Sequence, residues 1–366
     1  MKQEDMSLWV PVGMLLLGRV IDADGNPCDD GPELFLDQYY PLEVAPPDSS
    51  TRLPINRRFQ TGIRAIDSML TMGKGQKIGI YSDIGMTKSY LLATIARNNN
   101  ADINVFGIIG KRAEALSFLK EDLGEEALKR SVIVFASSDA ASRIRAAYVC
   151  TSIAEYFRNY GKDVVLIMET VTGFAKAQRE IALAKGEPLV QNGYPPSVFE
   201  MIPNLIYRSG TNDKGTITAF YSALNDCDDI SKPIIDKMNA CLDGYIDLSW
   251  NPAYPYYPTI DIQASKNRIS KMVTGNQTQK AVNLVRELIK KHSDKSNLIN
   301  AGVYPKRVLP KLYLAVEKHS GIKQFLQQEE DEVCSMSDTL DKLSKLTGID
   351  IPKEEYAESP GEDIIK

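Results

Sequence analysis

The feature that most restricts the fold of this chain is a series of short apolar segments separated by segments with helical spacing. Continuous apolar strands that alternate with helices are typical of a parallel sheet covered on both faces. The predicted strands are residues 77–81, 104–109, 131–135, 163–168, 215–221 and 244–248. The sequence therefore predicts an α/β fold, with any ligand beyond the carboxyl ends of the strands.

The regions on either side of these strands have a different character. Residues 1–60 are rich in proline and turn residues, with a short strand region near 10–22, and residues 61–70 have helical spacing. After about residue 275 the apolar spacing predicts only helices. These helices are 279–291, 309–319, 322–328 and 337–346, and the charged stretch 353–366 is expected to be frayed. We therefore predict three parts: an N-terminal remnant and linker (1–55), a nucleotide-binding domain (56–275) and a C-terminal helical domain (276–366).

Composition excludes several classes of protein. The 366-residue chain has a net charge of −5, which argues against nucleic acid as a partner. Its five cysteines are scattered, as expected of reduced cytoplasmic thiols, and its two histidines exclude a histidine-rich metal centre. An uninterrupted apolar run of membrane-spanning length and a basic, then apolar N-terminus are both absent from the sequence, so we expect a cytoplasmic protein without direct membrane insertion.

Residues 76–92 partly match a phosphate-binding P-loop, whose pattern is G-x-x-x-x-G-K-[ST]. In that loop, glycines let backbone N–H groups surround the phosphates, lysine reaches the β- and γ-oxygens, and the hydroxyl binds Mg²⁺. Lys88 and Ser89 occupy the last two positions, but Ser82 and Thr87 replace the two glycines, and only the inner Gly85 remains. By itself this match is weak, and an ordinary strand–turn–helix explains the segment equally well.

Several longer segments closely resemble the flagellar and type III secretion export ATPases, relatives of the rotary ATP synthase head subunits. These segments are residues 11–13, 17–22, 61–67, 174–188, 193–199, 215–221 and 257–262. The resemblance extends from about residue 10 to about residue 345. It implies a RecA-like P-loop NTPase core, a C-terminal helical domain, hexameric rings, ATP or ADP with Mg²⁺ as ligands, and a place at the export apparatus.

The resemblance also reveals departures in the phosphate pocket. The family's catalytic glutamate, which orients the attacking water, corresponds to Lys111 in the segment Gly-Lys-Arg-Ala-Glu-Ala (110–115). An ammonium has no acceptor and cannot take that role. The aspartate that supports Mg²⁺ corresponds to Glu169, so Ser89 and Glu169 would form a weakened metal site. An arginine directed at the γ-phosphate is replaced by Gly173, and Thr87 stands where glycine is expected.

Other positions retain the family pattern. Arg268 matches the arginine finger that reaches a neighbour's nucleotide, and Arg112 matches the arginine after the catalytic glutamate. Tyr257 and Tyr304 stand where aromatic rings pack against adenine. A surface arginine and a core tyrosine are the simpler interpretations of these residues.

Three functional hypotheses follow. The first is a degenerate export ATPase that binds nucleotide but hydrolyses little of it, acting as a structural or regulatory ring subunit. It would lend Arg268 to an active paralogue in a mixed ring. The second is an active ATPase that drives protein export. The third is an RNA-translocating hexamer, which the acidic composition disfavours. We also expect the family's N-terminal β-barrel, which contributes to stator contact, to be missing here.

Overall fold

The computed structural model describes residues 8–83, 85–137, 139–225, 231–249, 257–300 and 309–359. For residues 49, 85–87 and 300 only the backbone is described. The described chain forms two compact units. The first comprises Met1–Ile55 and Lys74–Leu248, and the second comprises Asn56–Gly73 and Ser249–Lys366. The three-part division expected from the sequence is a different one, and it stays a prediction.

The strands are, in chain order, β1 (Trp9–Val12), β2 (Val20–Ile21), β3 (Gln38–Pro41), β4 (Arg58–Phe59), β5 (Met72–Gly73), β6 (Lys77–Ser82), β7 (Ile103–Ile109), β8 (Ser131–Ala136), β9 (Asp163–Glu169), β10 (Gly210–Thr211), β11 (Thr216–Leu224), β12 (Gly244–Leu248) and β13 (Ile260–Asn267).

The α-helices are α1 (Arg64–Met69), α2 (Gly85–Asn98), α3 (Ala113–Lys129), α4 (Ala140–Asn159), α5 (Val171–Ala184), α6 (Pro196–Ile206), α7 (Lys232–Cys241), α8 (Asn276–Asp294), α9 (Ser296–Asn300), α10 (Pro310–Leu326) and α11 (Met336–Thr347).

A parallel sheet forms the centre of the first unit. Its strands follow the order β12-β6-β11-β9-β7-β8-β2, and β10 adds to β11 in the antiparallel sense. Strand β7 is buried along its whole length, as is expected of a strand that helices cover on both faces. The predicted α/β class and all six predicted strands are confirmed.

The N-terminal segment of the first unit is more regular than predicted. Strands β1 and β3 form an antiparallel pair that packs against α4. The Ser152 hydroxyl of α4 donates to the Pro41 carbonyl at 2.8 Å, and Arg145 Nε donates to the Ala23 carbonyl at 2.9 Å. These bonds attach the segment to the core, although its proline content suggested an irregular linker.

The second unit is mainly helical. Strands β4 and β5 pair in the antiparallel sense on either side of α1, while α8, α10 and α11 pack against one another. The sequence predicted two helices at 309–319 and 322–328, and this was wrong, because α10 is continuous from Pro310 to Leu326. Gly321 lies within α10 and does not end the helix.

The prediction of a frayed stretch at 353–366 was wrong for residues 353–359, whereas residues 360–366 lie outside the described residues. Residues Lys353–Tyr356 form a short 3-10 helix, and the Glu355 side chain is only 2% exposed. Its carboxylate accepts hydrogen bonds from the backbone N–H groups of Gln277 and Thr278 at 2.9 and 2.8 Å, in the first turn of α8. The described part of this stretch is therefore attached to the helical unit, and not frayed.

Candidate functional site

The parallel sheet brings the ends of four strands to one edge of the first unit. Ser82 ends β6 and pairs with Leu224 of β11, while Glu169 ends β9 and pairs with Ile108 of β7. Ligands of open parallel sheets bind beyond such carboxyl ends. Lys111 follows β7 by two residues, so the topology places it beside Glu169.

The two retained P-loop positions lie on α2, directly after β6. Lys88 is fully buried, Ser89 is half-buried, and Ser82 is 3% exposed. The Ser82 carbonyl accepts a hydrogen bond from the Asn225 N–H at 3.1 Å. Gly85 begins α2, while the side chain of Thr87 lies outside the described residues. Lys88 and Ser89 are thus placed where a P-loop holds its lysine and hydroxyl.

Glu169 connects the helix to the sheet edge. The Ser89 hydroxyl donates to Glu169 Oε1 at 2.5 Å, and the Lys111 ammonium lies 2.9 Å from the same oxygen. The side chain of Glu169 is 10% exposed and that of Lys111 is 24% exposed, so solvent screens the ion pair only partly. Glu169 Oε1 therefore accepts a hydrogen bond from the Ser89 hydroxyl and also pairs with the Lys111 ammonium.

Lys111 is the residue of this edge whose chemistry bears most directly on hydrolysis. A water that attacks phosphate is oriented by a group that accepts its proton or hydrogen bond. Lys111 has only hydrogen-bond donors, and its ammonium forms an ion pair with Glu169. Glu114 and Arg112 are exposed at the start of α3, where Arg112 is the residue that precedes the helix.

Gly173 fills its position so closely that no side chain fits there. It lies in the first turn of α5, where its N–H donates to the Thr170 hydroxyl at 2.9 Å. A Cβ atom added to Gly173 would lie 2.7 Å from the Ile109 carbonyl oxygen at the end of β7. An arginine at this position therefore requires the backbone of β7 or α5 to move.

While Lys111 is paired with Glu169, the residues of this edge fit a bound magnesium ion poorly. Mg²⁺ binds carboxylate and hydroxyl oxygens at about 2.1 Å. An ion on Glu169 Oε1 would then lie within about 5 Å of the Lys111 ammonium, where repulsion is of order 6 kcal/mol at an effective dielectric constant of about 20. Among the described residues, no group of three or more His, Cys, Asp or Glu side chains is arranged to hold a metal.

Two of the remaining predicted site residues, Arg268 and Tyr257, lie in the second unit. Arg268 is exposed directly after β13, beside a cavity of about 290 Å³ that Lys266, Lys271 and Arg286 also line. Tyr257 is half-buried, and its carbonyl accepts a hydrogen bond from the Gln328 N–H at 2.9 Å. Tyr304 lies outside the described residues.

The sequence interpretation missed two residues that line the same cavity as Arg268 and attach this part of the second unit by hydrogen bonds. The Asn267 amide donates to the carbonyls of Leu70 and Thr71 at 2.9 and 2.8 Å. Arg286 donates to the carbonyls of Ile262 and Met69 at 2.6 and 3.0 Å, and burial lowers its pKa. Both side chains bond to backbone far away in the chain, and no local pattern signals such contacts.

Two family models match most of this chain. The model described as "ATP synthase alpha/beta family, nucleotide-binding domain" matches residues 62–267. The model described as "T3SS EscN ATPase C-terminal domain" matches residues 274–345. The "Flagellum-specific ATP synthase" of Treponema pallidum is 42% identical over 95% of this chain and 79% of its own length. The "SPI-2 type 3 secretion system ATPase" of Salmonella typhimurium is also 42% identical, over 92% of this chain and 78% of its own length.

The chain belongs to the flagellar and type III secretion export ATPase family.

Solved structures of this family share the fold. A structure described as a prototypical ATPase from the type III secretion system of pathogenic bacteria has a TM-score of 0.88 and 37% identity. The match covers 93% of this chain and 99% of that one. The assembled ATPase EscN of enteropathogenic E. coli has a TM-score of 0.89 and 37% identity, over 93% of this chain and 84% of that one. The predicted fold, a P-loop core with a C-terminal helical domain, is thereby confirmed.

Among the described residues, no helix is both long and apolar enough to cross a bilayer.

Proposed function

We propose that this chain is a degenerate export ATPase, which binds nucleotide through Lys88 and Ser89 but hydrolyses it slowly or not at all. It acts as a structural or regulatory subunit in flagellar or type III protein export. Its ligand is ATP or ADP, and Mg²⁺ is at best weakly held by Ser89 and Glu169. We place it in the cytoplasm, peripheral to the export apparatus, with the three-part domain division given above.

The observation that carries this proposal is the ion pair between Lys111 and Glu169, with 2.9 Å between Nζ and Oε1. Family members have a catalytic glutamate in the place of Lys111, and removing a positioned base typically costs 10²–10⁴-fold in rate. Here Lys111 also pairs with Glu169, the carboxylate that would support the metal. One substitution therefore weakens both the activation of water and the metal site.

The close packing at Gly173 supports the same conclusion. The family carries an arginine there, and the contact predicted between a Cβ atom and the Ile109 carbonyl excludes any side chain without backbone movement. The loss of this positive charge is thus coupled to the way α5 packs on β7. These departures lie around one edge of the sheet, as expected when selection for hydrolysis is relaxed.

The residues offered to a neighbouring subunit are better retained. Arg268 is exposed and its backbone is held by Asn267. We propose that it completes the nucleotide site of an active paralogue in a mixed, hexameric ring. The relative EscN is described as assembled and, in a further structure, as in complex with its central stalk EscO. Proteins of the export apparatus are accordingly the partners we propose for this chain.

The alternative is an active ATPase that energises export. It is favoured by the 42% identity to the flagellum-specific ATP synthase and by the retention of Lys88 and Ser89. In that case, contacts with a neighbouring subunit would displace Lys111 from Glu169 and another group would orient water.

Steady-state phosphate release from Mg-ATP, measured over a series of protein concentrations, separates the two functions. Lys88→Ala is the control, because it removes the ammonium that reaches the β- and γ-phosphates. We expect no turnover above this control at any concentration. Turnover that rises with concentration identifies an active, self-assembling ATPase and refutes the proposal.

Restoring one residue provides a sharper test. Lys111→Glu supplies the family's carboxylate but leaves Gly173 and Thr87 unchanged. We expect its phosphate release to remain at the level of the wild-type protein. Brisk hydrolysis by this single variant would mean that Lys111 alone is responsible for the loss of activity.

A further inference from the structure

The Lys111 ammonium contacts the carboxylate that would support Mg²⁺ in a P-loop site. The positive charge there is therefore part of the protein and not a bound metal ion. It lies 2.9 Å from Glu169 Oε1, and the same oxygen accepts a hydrogen bond from Ser89. In P-loop proteins, the hydroxyl corresponds to a ligand of Mg²⁺ and the carboxylate supports that ion. The chain therefore places a positive charge on both of the groups that would otherwise receive the metal.

The position of this ammonium follows from the sheet. Strand β7 pairs in parallel with β9, in a register that sets Ile108 opposite Glu169. Lys111 is the second residue after the end of β7, and α3 begins two residues later, so the lysine has little freedom to leave this edge. Its side chain is 24% exposed, compared with 10% for Glu169. The contact thus belongs to the folded sheet edge, where solvent screens it only partly.

An ammonium and a divalent cation interact with the phosphates of a nucleotide in different ways. Lysine has three N–H donors, and its pairing with Glu169 leaves donors for phosphate oxygens. Mg²⁺ requires near-octahedral oxygen ligands at about 2.1 Å. Because the two cations repel each other on one carboxylate, the site favours either the lysine or the metal, and not both together.

We propose that Lys111 is the resident cation of this site, so that the chain binds nucleoside di- or triphosphate without a divalent metal ion. The ligand is the metal-free nucleotide, and Mg²⁺ does not strengthen its binding. This inference rests on the proposed function, since it requires that nucleotide binds beside Lys88 and Ser89.

The test is the equilibrium affinity for ADP and ATP, measured by calorimetry in excess Mg²⁺ and in excess EDTA. We expect the dissociation constants of the wild-type protein to differ by less than about threefold between the two conditions. Lys111→Met keeps the length of the side chain but removes its charge. We expect this variant to lose affinity in EDTA and to bind at least about tenfold more tightly when Mg²⁺ is present.

Two further variants control the interpretation. Lys111→Arg keeps the positive charge, so its binding should remain independent of Mg²⁺, which also shows whether the position tolerates change. Lys185→Met removes an equal charge from an exposed position of the first unit, and its binding should match that of the wild-type protein. Circular dichroism of each variant verifies that the fold is retained.

The possible failures are distinguishable. Tighter binding by the wild-type protein in Mg²⁺ overturns the role of Lys111 but leaves a nucleotide-binding, hydrolysis-deficient subunit intact. Binding by Lys111→Met that remains independent of Mg²⁺ also overturns it, because the ammonium is then not the cause. If no nucleotide binds in either condition, both this inference and the nucleotide-binding part of the proposed function are refuted.

Discussion

Two buried glutamates, one in each unit, show how differently the chain uses the same side chain. Glu169 ends a strand of the first unit, and its Oε1 atom contacts two side chains, the Ser89 hydroxyl and the Lys111 ammonium. Glu355 lies in the second unit and accepts hydrogen bonds from the backbone of Gln277 and Thr278 and from the Thr278 hydroxyl. One carboxylate thus binds side chains at a sheet edge, while the other binds the start of a helix.

The difference indicates which carboxylate serves the fold and which serves a site. The first N–H groups of a helix have no partner within it, and a carboxylate there also interacts favourably with the helix dipole. Glu355 supplies both to α8, whose preceding residue, Gly275, has no capping side chain. Glu169 instead bonds to the side chains of Ser89 and Lys111, so its partners are free to change with a ligand. We therefore expect substitution to affect stability mainly at Glu355 and binding mainly at Glu169.

The largest effect is expected for Glu355→Ala. The variant leaves the buried Thr278 N–H and hydroxyl and the partly buried Gln277 N–H without their acceptor, and we expect a loss of about 3 kcal/mol in unfolding free energy. Urea unfolding measures the loss, and hydrogen exchange should show faster exchange in α8. Glu354→Ala is the matched control, because Glu354 is the exposed neighbour of Glu355. Equal midpoints for the two variants would contradict this assignment.

A smaller effect is expected for Gly173→Ala, which tests the packing of the first unit. Its Cβ would lie 2.7 Å from the Ile109 carbonyl, and such overpacking typically costs about 1–3 kcal/mol. Gly321→Ala in α10 is the contrasting control, since its Cβ meets only the flexible end of Leu346 at 3.3 Å. Replacing glycine within a helix should then be neutral or stabilising by up to about 1 kcal/mol. If both variants are equally stable, Gly173 is not locked by its neighbours.

Strand β7 and the residues near its end show which features of the site could be predicted from the sequence. Residues 104–109 were identified as a strand because a buried parallel strand is apolar throughout, which is a local property. The replacement of family residues at Lys111, Glu169 and Gly173 was also visible, since it requires only a comparison of residue types. The parallel order of β7 and β9 then brings Lys111 and Glu169 together.

The contacts of Glu355 and Gly173 were not predictable in this way. Glu355 accepts a hydrogen bond from Thr278 in α8, 77 residues earlier in the chain. Neither segment has a sequence pattern that would predict this contact. The approach of Gly173 to Ile109 depends on the depth at which α5 packs on the sheet. Likewise, the predicted break near Gly321 was wrong, because packing of α10 against α8 and α11 outweighs the low helix propensity of one glycine.

Glu169→Gln tests the other side of the comparison. The amide keeps an oxygen acceptor for Ser89 but loses the charge that pairs with Lys111. Because the Lys111 side chain is 24% exposed and can be hydrated once the pair is lost, we expect a loss of only about 1 kcal/mol in unfolding free energy. Urea unfolding in parallel with Glu355→Ala gives the contrast directly. A loss as large as that of Glu355→Ala would mean that Glu169 is also primarily structural.

The smallest effect concerns pH, and it distinguishes the two units because both histidines of the sequence, His292 and His319, lie in the second. Their rings stack between α8 and α10 with centroids 3.6 Å apart and an angle of 4° between planes. Burial lowers the pKa of both imidazoles, and His292 and Lys323 lower that of His319 further. The folded protein thus favours the neutral rings.

A folded-state pKa below the unfolded value of about 6.5 means that this stabilisation is complete above that pH and is lost as the pH falls through the folded-state pKa. We expect α8 and α10 to lose stability as the pH falls below about 6.5. Because both rings are partly exposed, solvent screening keeps the change small, and we expect it to be smaller than that of Glu169→Gln. Thermal unfolding of the wild-type protein and of the double variant His292→Phe/His319→Phe, which keeps the aromatic stacking, measures this difference at each pH. An equal fall in melting temperature in both proteins would assign the pH dependence to carboxylates instead, and the contrast between the two units would then rest on Glu169 and Glu355 alone.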